Sequence, residues 1–382
     1  MLSYIGILSF HKSINYGAVL QVYALNSVLS EMRCTVQIID YANYKRRISN
    51  FSPVRKIAHF LWHRGIKLCF VGNERYRRTD VFRKQHLTYS PLAYSGEECL
   101  RSNPPIYDAY ITGSDQVWNP SIHEGDSSYF LTFAPEGKKR ISYSASFGVS
   151  TLPEKYKESY AQWIQELDCI SVREIEGKQI VKDLTGMEAE IVLDPTLLLS
   201  DEEWTKVSAP FSWPKKYILC YYMPGDKQVN YSITQVARKI SRETGWDIIS
   251  IGQKEYMRLN PFQNSVFNAG PAEFLGLLQN ASFVVTNSFH GTAFAVNFKK
   301  PFYVPVNKSL SPEKALSSRV ITLLKTIGLE DRLIPTGSEI PGKLAWEIDF
   351  QEPHLILQEE KKKSIEFLRN ALQEGSHEEH MP

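Results

Sequence analysis

The stretch YIGILSFHKSINYGAVLQVYALNSVLSEMRCTVQIID, residues 4–40, decides the fold class because it alternates a strand, a helix and a second strand. Residues 4–10 form an apolar run of strand length, and residues 11–17 follow as a polar loop that contains glycine. Apolar residues then recur at helical spacing over 18–30, before the second apolar run at 36–40. The pattern predicts the opening of a parallel α/β sheet, which binds ligands at the carboxyl ends of its strands.

The same alternation continues along the chain and predicts two doubly wound, Rossmann-like domains of similar size. In the first domain, strands are predicted at 107–112, 140–144, 169–172 and 191–193, and helices at 154–167 and 174–184. In the second domain, strands are predicted at 217–223, 247–251, 283–286 and 302–306, and helices at 227–243, 271–279 and from 291 onward. Residues 200–214 carry two prolines and two tryptophans without long periodicity, so we expect the domain linker there.

These patterns divide the chain into residues 1–200, residues 215–345 and a terminal segment, residues 346–382. The terminal segment contains LILQEEKKKSIEFLRNAL, residues 355–372, whose apolar positions recur at helical spacing. We therefore expect an amphipathic helix that packs back across both domains.

The composition is that of a globular protein, because 43% hydrophobic and 12% aromatic residues in 382 can fill sizeable cores. The formal net charge of +2 gives no global case for nucleic-acid binding. The five cysteines are widely spaced without a CxxC pair, so neither a disulfide framework nor a zinc site is predicted. The first residues lack a basic region before an apolar run, so we expect no signal peptide and a cytoplasmic protein.

A basic segment interrupts the first domain. Residues 43–86 hold twelve Lys or Arg and two acidic residues, which leaves the rest of the chain net negative by about eight. Aromatic and aliphatic residues alternate with cations in PVRKIAHFLWHRGIKLCFVG, so a helical insertion at 45–86 suits contact with an anionic membrane. The alternative is a solvated basic helix packed on the first domain; nucleic acid is a third alternative that no motif supports.

The stretch TNSFHGTAFAVNFKKPFYV, residues 286–304, places a histidine between a predicted strand and a predicted helix. His290 and Gly291 would occupy the turn, where backbone N–H groups are unpaired and the helix dipole favours an anion. The sequence therefore predicts a phosphate site at this turn.

Six motifs occur in order along most of the chain. They are NYGAVLQVYAL (15–25), TGSDQVWNP (112–120), SVRE (171–174), LDPTLL (193–198), TNSFHGTAFAV (286–296) and SSRV with a later GLEDR (317–332). Their order and spacing resemble the polysaccharide pyruvyl transferase family. The resemblance implies a GT-B-like pair of domains and transfer of the enolpyruvyl unit of phosphoenolpyruvate to a sugar, closing a cyclic ketal. It also implies no nucleotide sugar and no metal or organic cofactor, with phosphoenolpyruvate as co-substrate.

The second domain would hold this donor. The methylene carbon of phosphoenolpyruvate must gain a proton, and His290 could supply it because histidine populates both protonation forms near neutral pH. The alternative is a core histidine bonded to a carbonyl. Ser288, Gly291 and Thr292 would complete the donor turn. The family often has an arginine where this chain has Ser288, so Arg319, and secondly Arg173, are candidates to grip the phosphate or carboxylate. For either arginine the alternative is a salt bridge.

The first domain would hold the acceptor sugar. Asp115 follows a predicted strand and could accept a hydroxyl proton or bind sugar hydroxyls, although an Asp after Gly-Ser is often a helix cap. Gln116, Trp118 and Asn119 would add hydrogen bonds and a stacking face. Asn15, Tyr16 and Gly17 form the loop after the first strand, where Gly17 would let a ligand approach the backbone closely. Asp194, before Pro195, reads as a turn cap that could also bind ligand.

The sequence thus predicts a pyruvyl transferase at the inner face of the membrane. Its acceptor would be a sugar of a bacterial capsular or exopolysaccharide intermediate on undecaprenyl diphosphate, with phosphate released as the ketal forms. Two alternatives stay open: a GT-B glycosyltransferase that uses a nucleotide sugar, and a non-catalytic family member with a degraded donor site. A homodimer is a further expectation without a sequence signature.

Overall fold

Two fully parallel sheets organise the described part of the chain, which in this computed structural model is residues 3–42, 74–223, 226–252, 264–307, 318–342 and 346–373. The first sheet contains β1 (Tyr4–Leu8), β2 (Thr35–Ala42), β3 (Tyr89–Ser95), β4 (Ala109–Thr112), β5 (Lys139–Ala145), β6 (Cys169–Val172) and β7 (Glu190–Ile191). The second contains β8 (Tyr217–Tyr222), β9 (Asp247–Gly252), β10 (Asn264–Val266), β11 (Phe283–Thr286), β12 (Phe302–Val306) and β13 (Leu333–Pro335).

Helices connect the strands and cover the sheets. The helices of the first half are α1 (Tyr16–Glu31), α2 (Glu74–His86), α3 (Glu97–Ser102), α4 (Pro120–His123), α5 (Glu154–Gln165), α6 (Ile175–Thr185) and α7 (Asp201–Val207). Those of the second half are α8 (Lys227–Thr244), α9 (Pro271–Asn280), α10 (Phe289–Asn297), α11 (Ser318–Thr326) and α12 (Gln351–Ala371). None of these helices combines the length and apolar character needed to cross a bilayer.

Both sheets have the same kind of strand order, which confirms the predicted pair of doubly wound domains. The order is β3-β2-β1-β4-β5-β6-β7 in the first sheet and β10-β9-β8-β11-β12-β13 in the second. The direction of winding reverses between β1 and β4 and again between β8 and β11. Open α/β sheets bind ligands in the crevice at such a reversal, so the loops after these four strands define where to look for a site.

Burial explains why the central strands are almost uniformly apolar. Every residue of β8, β11 and β12 is buried, as expected for parallel strands covered by helices on both faces. Helix α10 is buried along its whole length, which accounts for its run of small and aromatic residues. The loop before α10 is therefore held on a rigid support.

The C-terminal helix packs across both domains, as predicted, although it begins at Gln351 instead of residue 355. On the first domain, the backbone N–H of Leu193 donates to Ser364 Oγ at 2.9 Å. On the second domain, His354 Nε2 lies 3.0 Å from the carbonyl oxygen of Val296. Helix α12 thereby joins the two domains in a GT-B-like arrangement.

Helix α2, the described part of the basic segment, also bridges the domains. Arg83 Nη1 donates to the carbonyl oxygen of His11 at 2.9 Å, on the first domain. Arg78 Nη1 pairs with Glu273 Oε1 at 3.1 Å, on the second domain. The alternative to membrane contact was a basic helix packed on the first domain. Helix α2 does pack on the protein, but it contacts the second domain as well as the first. Residues 45–73 of the predicted insertion lie outside the described residues.

A short helix lies within the predicted linker region, residues 200–214. Helix α7 begins there with a capping box in which Ser200 and Glu203 satisfy each other's backbone N–H groups. Trp204 is fully buried and donates to the carbonyl oxygen of Thr196 at 3.1 Å. The tryptophan that looked like linker composition is therefore a core residue that anchors a short helix.

Candidate functional site

The loops at the two reversals of winding meet around one cavity of about 220 Å³. Asn15 follows β1, and Asp115 and Gln116 follow β4, so the first domain contributes predicted acceptor residues. Ser288 and His290 follow β11, so the second domain contributes predicted donor residues. Arg319, at the start of α11, also lines the cavity. The tertiary structure thus brings together residues up to about 300 positions apart in sequence.

The amino terminus of α10 presents two backbone N–H groups. Ser288 caps the helix, because its Oγ accepts the N–H of Gly291 at 3.2 Å. The N–H groups of Phe289 and His290 have no acceptor among the described residues. The N–H groups without an acceptor therefore precede Gly291, and His290 lies in the first helical turn instead of a preceding loop.

Gly291 and Thr292 support the helix and do not form the cavity wall, contrary to the predicted donor contact. A Cβ on Gly291 would lie 2.8 Å from Thr286 Oγ1 and 2.9 Å from a ring carbon of Tyr221, so glycine allows α10 to sit close to the sheet. Thr292 is fully buried, and its hydroxyl donates to the carbonyl oxygen of Ser288 at 3.0 Å. Both residues act through packing.

His290 is held between the two domains. Its Nε2 is buried, has no hydrogen-bond partner among the described residues and lies 3.7 Å from Asp194 Oδ2. Its ring lies directly against Gly17, where a Cβ would come within 2.6 Å of Cε1 and closer still to Nδ1 and Cγ. The prediction that Gly17 leaves room for a ligand is wrong, because the imidazole of His290 takes that space.

Asp194 is a buried carboxylate with four hydrogen bonds. Its Oδ2 accepts from Ser114 Oγ and Arg173 Nη1, both at 2.6 Å. Its Oδ1 accepts from the backbone N–H of Thr196 at 2.9 Å and from the Thr196 hydroxyl. Burial acts to raise the pKa of this carboxyl, but His290, Arg173 and Ser114 outweigh burial and hold the pKa well below its usual range. The turn cap expected from the sequence is therefore also an ionised partner of His290.

Arg173 lies behind the cavity wall. Its Nη1 is committed to Asp194, its Nη2 is 3.9 Å from Asp115 Oδ1, and its guanidinium carbon lies 4.6 Å from the centre of the Phe289 ring. It is not among the residues that line the cavity. Its geometry matches the salt-bridge alternative of the sequence analysis more closely than direct donor contact.

Arg319 differs from Arg173 because it lines the cavity and makes no hydrogen bond to another described residue, although the carboxylates of Glu174, Asp115 and Asp194 act to stabilise its charge. The side chain is 8% exposed, and no hydrogen bond or ion pair joins it to the described residues. Burial, and secondly the nearby charge of Arg173, lower the pKa of the guanidinium to about 10. Arg319 therefore remains cationic at neutral pH and is available to an anion in the cavity.

Asp115 adopts a strained backbone conformation at the opposite wall. Its φ of 82° lies in the left-handed region, which is uncommon for residues other than glycine and clusters at functional sites. Its carbonyl oxygen accepts the N–H of Ser146 at 3.1 Å, and its Oδ1 accepts the N–H of Gln116 at 2.9 Å. The residue precedes no helix of its own, so the helix-cap alternative does not describe it.

The amide of Gln116 has a defined orientation. The backbone N–H of Ser121 can only donate, so the atom of Asn119 that accepts from it at 2.9 Å must be Oδ1. Asn119 Nδ2 then donates to Gln116 Oε1 at 2.6 Å. Because Gln116 Oε1 is the acceptor, Gln116 Nε2 is left as a hydrogen-bond donor on a residue that lines the cavity.

Two aromatic residues predicted for the acceptor site belong to the core. Trp118 is fully buried, stacks on Phe130 at 5.1 Å and donates to the carbonyl oxygen of Tyr129, so it offers no stacking face to a sugar. Tyr16 is also fully buried and stacks on Phe274 at 4.6 Å, across the domain boundary. The sequence motif combined site residues with residues that pack behind them.

Two polar residues that were not predicted from the sequence also shape the site. Asn287, which lines the cavity, accepts the N–H of Met223 at 2.8 Å and thereby links the loops after β8 and β11. Glu174 is buried beside the first-domain wall, where it accepts from Ser146 Oγ at 2.8 Å, and burial raises the pKa of its carboxyl. Asn287 lies in the TNS motif and Glu174 in the SVRE motif. Their position at the end of a strand could have identified them from the sequence.

Within the described ranges, no group of three or more His, Cys, Asp or Glu side chains could hold a metal ion.

Comparison with known protein families identifies the family of this chain. A family model described as polysaccharide pyruvyl transferase matches residues 15–308. This chain belongs to the polysaccharide pyruvyl transferase family. The match begins at Asn15, the last residue of the loop after β1, and contains the loops after β4 and β11, whereas Arg319 lies beyond it. A comparison with curated proteins finds no match.

Several solved structures match nearly the whole chain at 12% identity or less. UGT89C1 from Arabidopsis thaliana is 8% identical, with 98% of this chain and 100% of that chain covered and a TM-score of 0.48. UDP-GlcNAc 2-epimerase from Neisseria meningitidis is 10% identical, with 97% and 100% covered and a TM-score of 0.45. The Methanocaldococcus jannaschii enzyme of the same name, in complex with UDP-GlcNAc and UDP, is 12% identical, with 98% and 94% covered and a TM-score of 0.43.

Proposed function

We propose that this family member transfers the enolpyruvyl unit of phosphoenolpyruvate to a sugar, forms a pyruvate ketal and releases phosphate. The observation that carries the proposal is the buried guanidinium of Arg319, which lines the cavity without a partner among the described residues. A buried charge of this kind is costly unless a ligand pairs with it. The volume of about 220 Å³ suits a small anion, because pockets for drug-sized ligands usually exceed 300 Å³.

The donor would bind between Arg319 and the amino terminus of α10. Phosphoenolpyruvate carries a phosphate and a carboxylate, and the guanidinium can hold either through paired hydrogen bonds. The N–H groups of Phe289 and His290, at the positive end of the helix, suit the other anionic group. Ser288, which replaces the frequent family arginine, keeps this helix end capped, and Arg319 would supply the missing positive charge.

In the proposed reaction two acceptor hydroxyls lose their protons, and His290 is returned to its starting form. His290 gives one proton to the methylene carbon of phosphoenolpyruvate, which becomes the methyl group, and an acceptor hydroxyl oxygen then bonds to the central carbon. The proton of that hydroxyl passes to Asp115, from which it can return to His290. A second hydroxyl bonds to the same carbon as the carbon–oxygen bond to phosphate breaks, and its proton leaves with the phosphate. The closed site would exclude water, which competes as a nucleophile.

The acceptor would lie against the first-domain wall. Asp115 accepts hydrogen bonds and Gln116 Nε2 donates them. The pair could therefore bind one sugar hydroxyl that donates a hydrogen bond and one sugar oxygen that accepts one. These groups line the same cavity as Arg319 and His290. The arrangement supports donor binding on the second domain and acceptor binding on the first.

We further propose that the acceptor is a capsular or exopolysaccharide intermediate carried on a lipid diphosphate. This part of the proposal rests on the basic composition of residues 43–86, which suits peripheral contact with the inner, anionic face of the membrane. Arg75 and Arg83 are buried between domains and would not take part, whereas Arg77 and Lys84 are exposed. Membrane contact would therefore use the exposed cations of α2 together with the residues that precede it.

Thermal unfolding with phosphoenolpyruvate tests the proposed donor. A ligand that binds only the folded state at one hundred times its Kd stabilises by about 2.7 kcal/mol, so we expect a rise in Tm of several degrees for the wild type. His290→Ala should lose part of this shift, because the donor site loses one wall. The same measurement with a panel of nucleotide sugars serves as the comparison.

The outcomes separate the open alternatives. A shift with a nucleotide sugar and none with phosphoenolpyruvate would support the glycosyltransferase alternative. Phosphoenolpyruvate binding without phosphate release on any of a set of sugars would support a non-catalytic family member. The proposal requires both the shift and the release of phosphate.

Gln116→Glu tests the acceptor side. The change keeps the shape of the side chain and the oxygen that accepts from Asn119, but it replaces the free donor with an acceptor. We expect the KM of an accepted sugar to rise 10- to 100-fold, in line with about 1–3 kcal/mol for a mismatched buried hydrogen bond, with little change in the phosphoenolpyruvate Tm shift. The readout is phosphate release at varied sugar concentration.

Asn119→Asp is the matched control for this prediction. The carboxylate that it introduces could still accept from the backbone N–H of Ser121 but could not donate to Gln116, so the Gln116 amide would be free to turn over. We expect a smaller rise in the sugar KM than Gln116→Glu gives. An unchanged KM in Gln116→Glu would remove Gln116 from the acceptor site.

A further inference from the structure

We propose that Asp194 is a positioning residue that fixes the tautomer of His290, so that Nε2 carries the proton toward Asp194 and Nδ1 exchanges protons with substrate. The inference rests on the proposed role of His290 in proton transfer. It assigns the direction of that transfer within the ring. It also gives Asp194 a role that reaches across the domain boundary, because Asp194 follows the first sheet and His290 begins a helix of the second.

The two ring nitrogens of His290 lie in different surroundings. Nε2 is buried, lacks a hydrogen-bond partner among the described residues, and has Asp194 Oδ2 at 3.7 Å. Nδ1 also lacks a partner in that part of the chain, but it is not closed off from solvent in the same way. His290 lines the cavity. Of its two ring nitrogens only Nε2 is both buried and without a partner, so we infer that Nδ1 is the nitrogen that a bound molecule reaches.

Asp194 can only accept a hydrogen bond from the ring. Its carboxylate is fully buried and is held ionised by Arg173 Nη1 and Ser114 Oγ, both 2.6 Å from Oδ2. An ionised carboxylate offers no proton, so a proton in this pair must reside on His290 Nε2. In the neutral ring the proton on Nε2 leaves the lone pair on Nδ1, and in the charged ring it leaves the transferable proton on Nδ1.

Gly17 and Thr196 hold this geometry from both sides. The ring of His290 packs on Gly17, so it cannot rotate toward the first helix without clashing with the α1 backbone. Asp194 is prevented from turning because Oδ1 accepts the N–H of Thr196 at 2.9 Å. The distance of 3.7 Å exceeds hydrogen-bond length by about half an ångström, so a slight approach of the domains would complete the bond.

Nitrogen NMR of the imidazole tests the inference without knowledge of the acceptor. The chain is labelled with ¹⁵N-histidine, His290 is identified by the signals lost in His290→Gln, and spectra are recorded at a pH where the ring is neutral. The chemical shifts distinguish a protonated from an unprotonated nitrogen, so the tautomer is read directly. We expect the Nε2–H form in the wild type, with or without phosphoenolpyruvate, and a loss of this preference in Asp194→Asn.

Ser114→Ala is the matched control, because it removes a second hydrogen bond to Oδ2 but retains the carboxylate. We expect this variant to keep the Nε2–H form. In phosphate-release assays, Asp194→Asn should lower kcat at least tenfold with a smaller change in the KM for phosphoenolpyruvate, and Ser114→Ala should lower kcat by a smaller factor because the carboxylate is retained. A merely structural role of Asp194 would not change the tautomer.

The NMR spectra test the role of Asp194, whereas the Tm shift tests the proposed function. A wild-type Nδ1–H form overturns the inference, and this spectrum is available even if Asp194→Asn does not fold. An unchanged tautomer in folded Asp194→Asn also overturns it. Failure of phosphoenolpyruvate to shift the wild-type Tm would overturn the proposed function, while the tautomer spectra would still report whether Asp194 orients His290.

Discussion

Replacing Arg319 with methionine is expected to abolish phosphoenolpyruvate binding and at the same time to raise the free energy of unfolding. The guanidinium is 8% exposed and has no partner among the described residues, so the folded protein holds a desolvated charge. Methionine keeps an unbranched apolar stem and removes that charge. Replacing buried charged groups with well-packed apolar residues can stabilise a protein by about 1–4 kcal/mol, whereas loss of a buried charge pair weakens binding by about 2–5 kcal/mol.

Chemical unfolding and isothermal titration with phosphoenolpyruvate measure the two effects of Arg319→Met. A weakening of affinity by at least 100-fold, together with equal or greater stability, is the signature of a residue retained for its ligand. Arg242→Met, at an exposed position of α8, is the control and should change neither quantity appreciably. A variant that loses stability but still binds phosphoenolpyruvate would show that Arg319 has a structural role.

Gly17→Ala is expected to lower turnover by at least 100-fold while the protein remains folded. The backbone of Gly17 does not adopt the left-handed conformation that only glycine favours, so alanine is acceptable to α1 itself. The added Cβ would overlap the imidazole of His290, which must then move out of its place beside Asp194. Overpacking of this kind costs about 1–3 kcal/mol, but displacement of the proton donor by an ångström would cost far more in rate.

Steady-state phosphate release and the Tm of the free protein measure this effect. Gly177→Ala is the matched control, because this glycine also lies in a helix, and its added Cβ would meet Phe147 and Val172 at an ordinary contact distance of 3.4 Å. We expect Gly177→Ala to leave turnover unchanged and to stabilise α6 slightly. Full activity in Gly17→Ala would mean that His290 does not need its observed position.

Most of the regular structure could be predicted from local pattern, because the central strands are buried on both faces. The run at 283–286 and the run at 302–306 coincide with β11 and β12, since every residue in them packs against a helix. Strands β3, β10 and β13 were not predicted, because they contain proline or only three residues and carry little local signal. Such edge strands form because a neighbouring strand is already in place.

The candidate site was predicted as a set of motifs but not as a geometry. His290, Arg319 and Asp115 were singled out by residue type and by position at an element's end, and all three line the cavity. Trp118 and Tyr16 were singled out for the same reasons, yet both are fully buried. A local motif cannot distinguish the side of a turn that faces ligand from the side that packs, because both sides follow the same strand end.

The sequence by itself determined the parallel two-domain fold, the family and the strand ends that could carry chemistry. Hydrophobic periodicity and motif order can be read along the chain without knowledge of tertiary contacts. Only the tertiary structure decided which candidate residues line the cavity and which support them. In the tertiary structure Gly17 packs against the ring of His290, and Arg173 donates a hydrogen bond to Asp194. Arg319 has no hydrogen-bond partner among the described residues. These assignments depend on contacts between residues tens to hundreds of positions apart, and such contacts exist only after the two sheets have packed against each other.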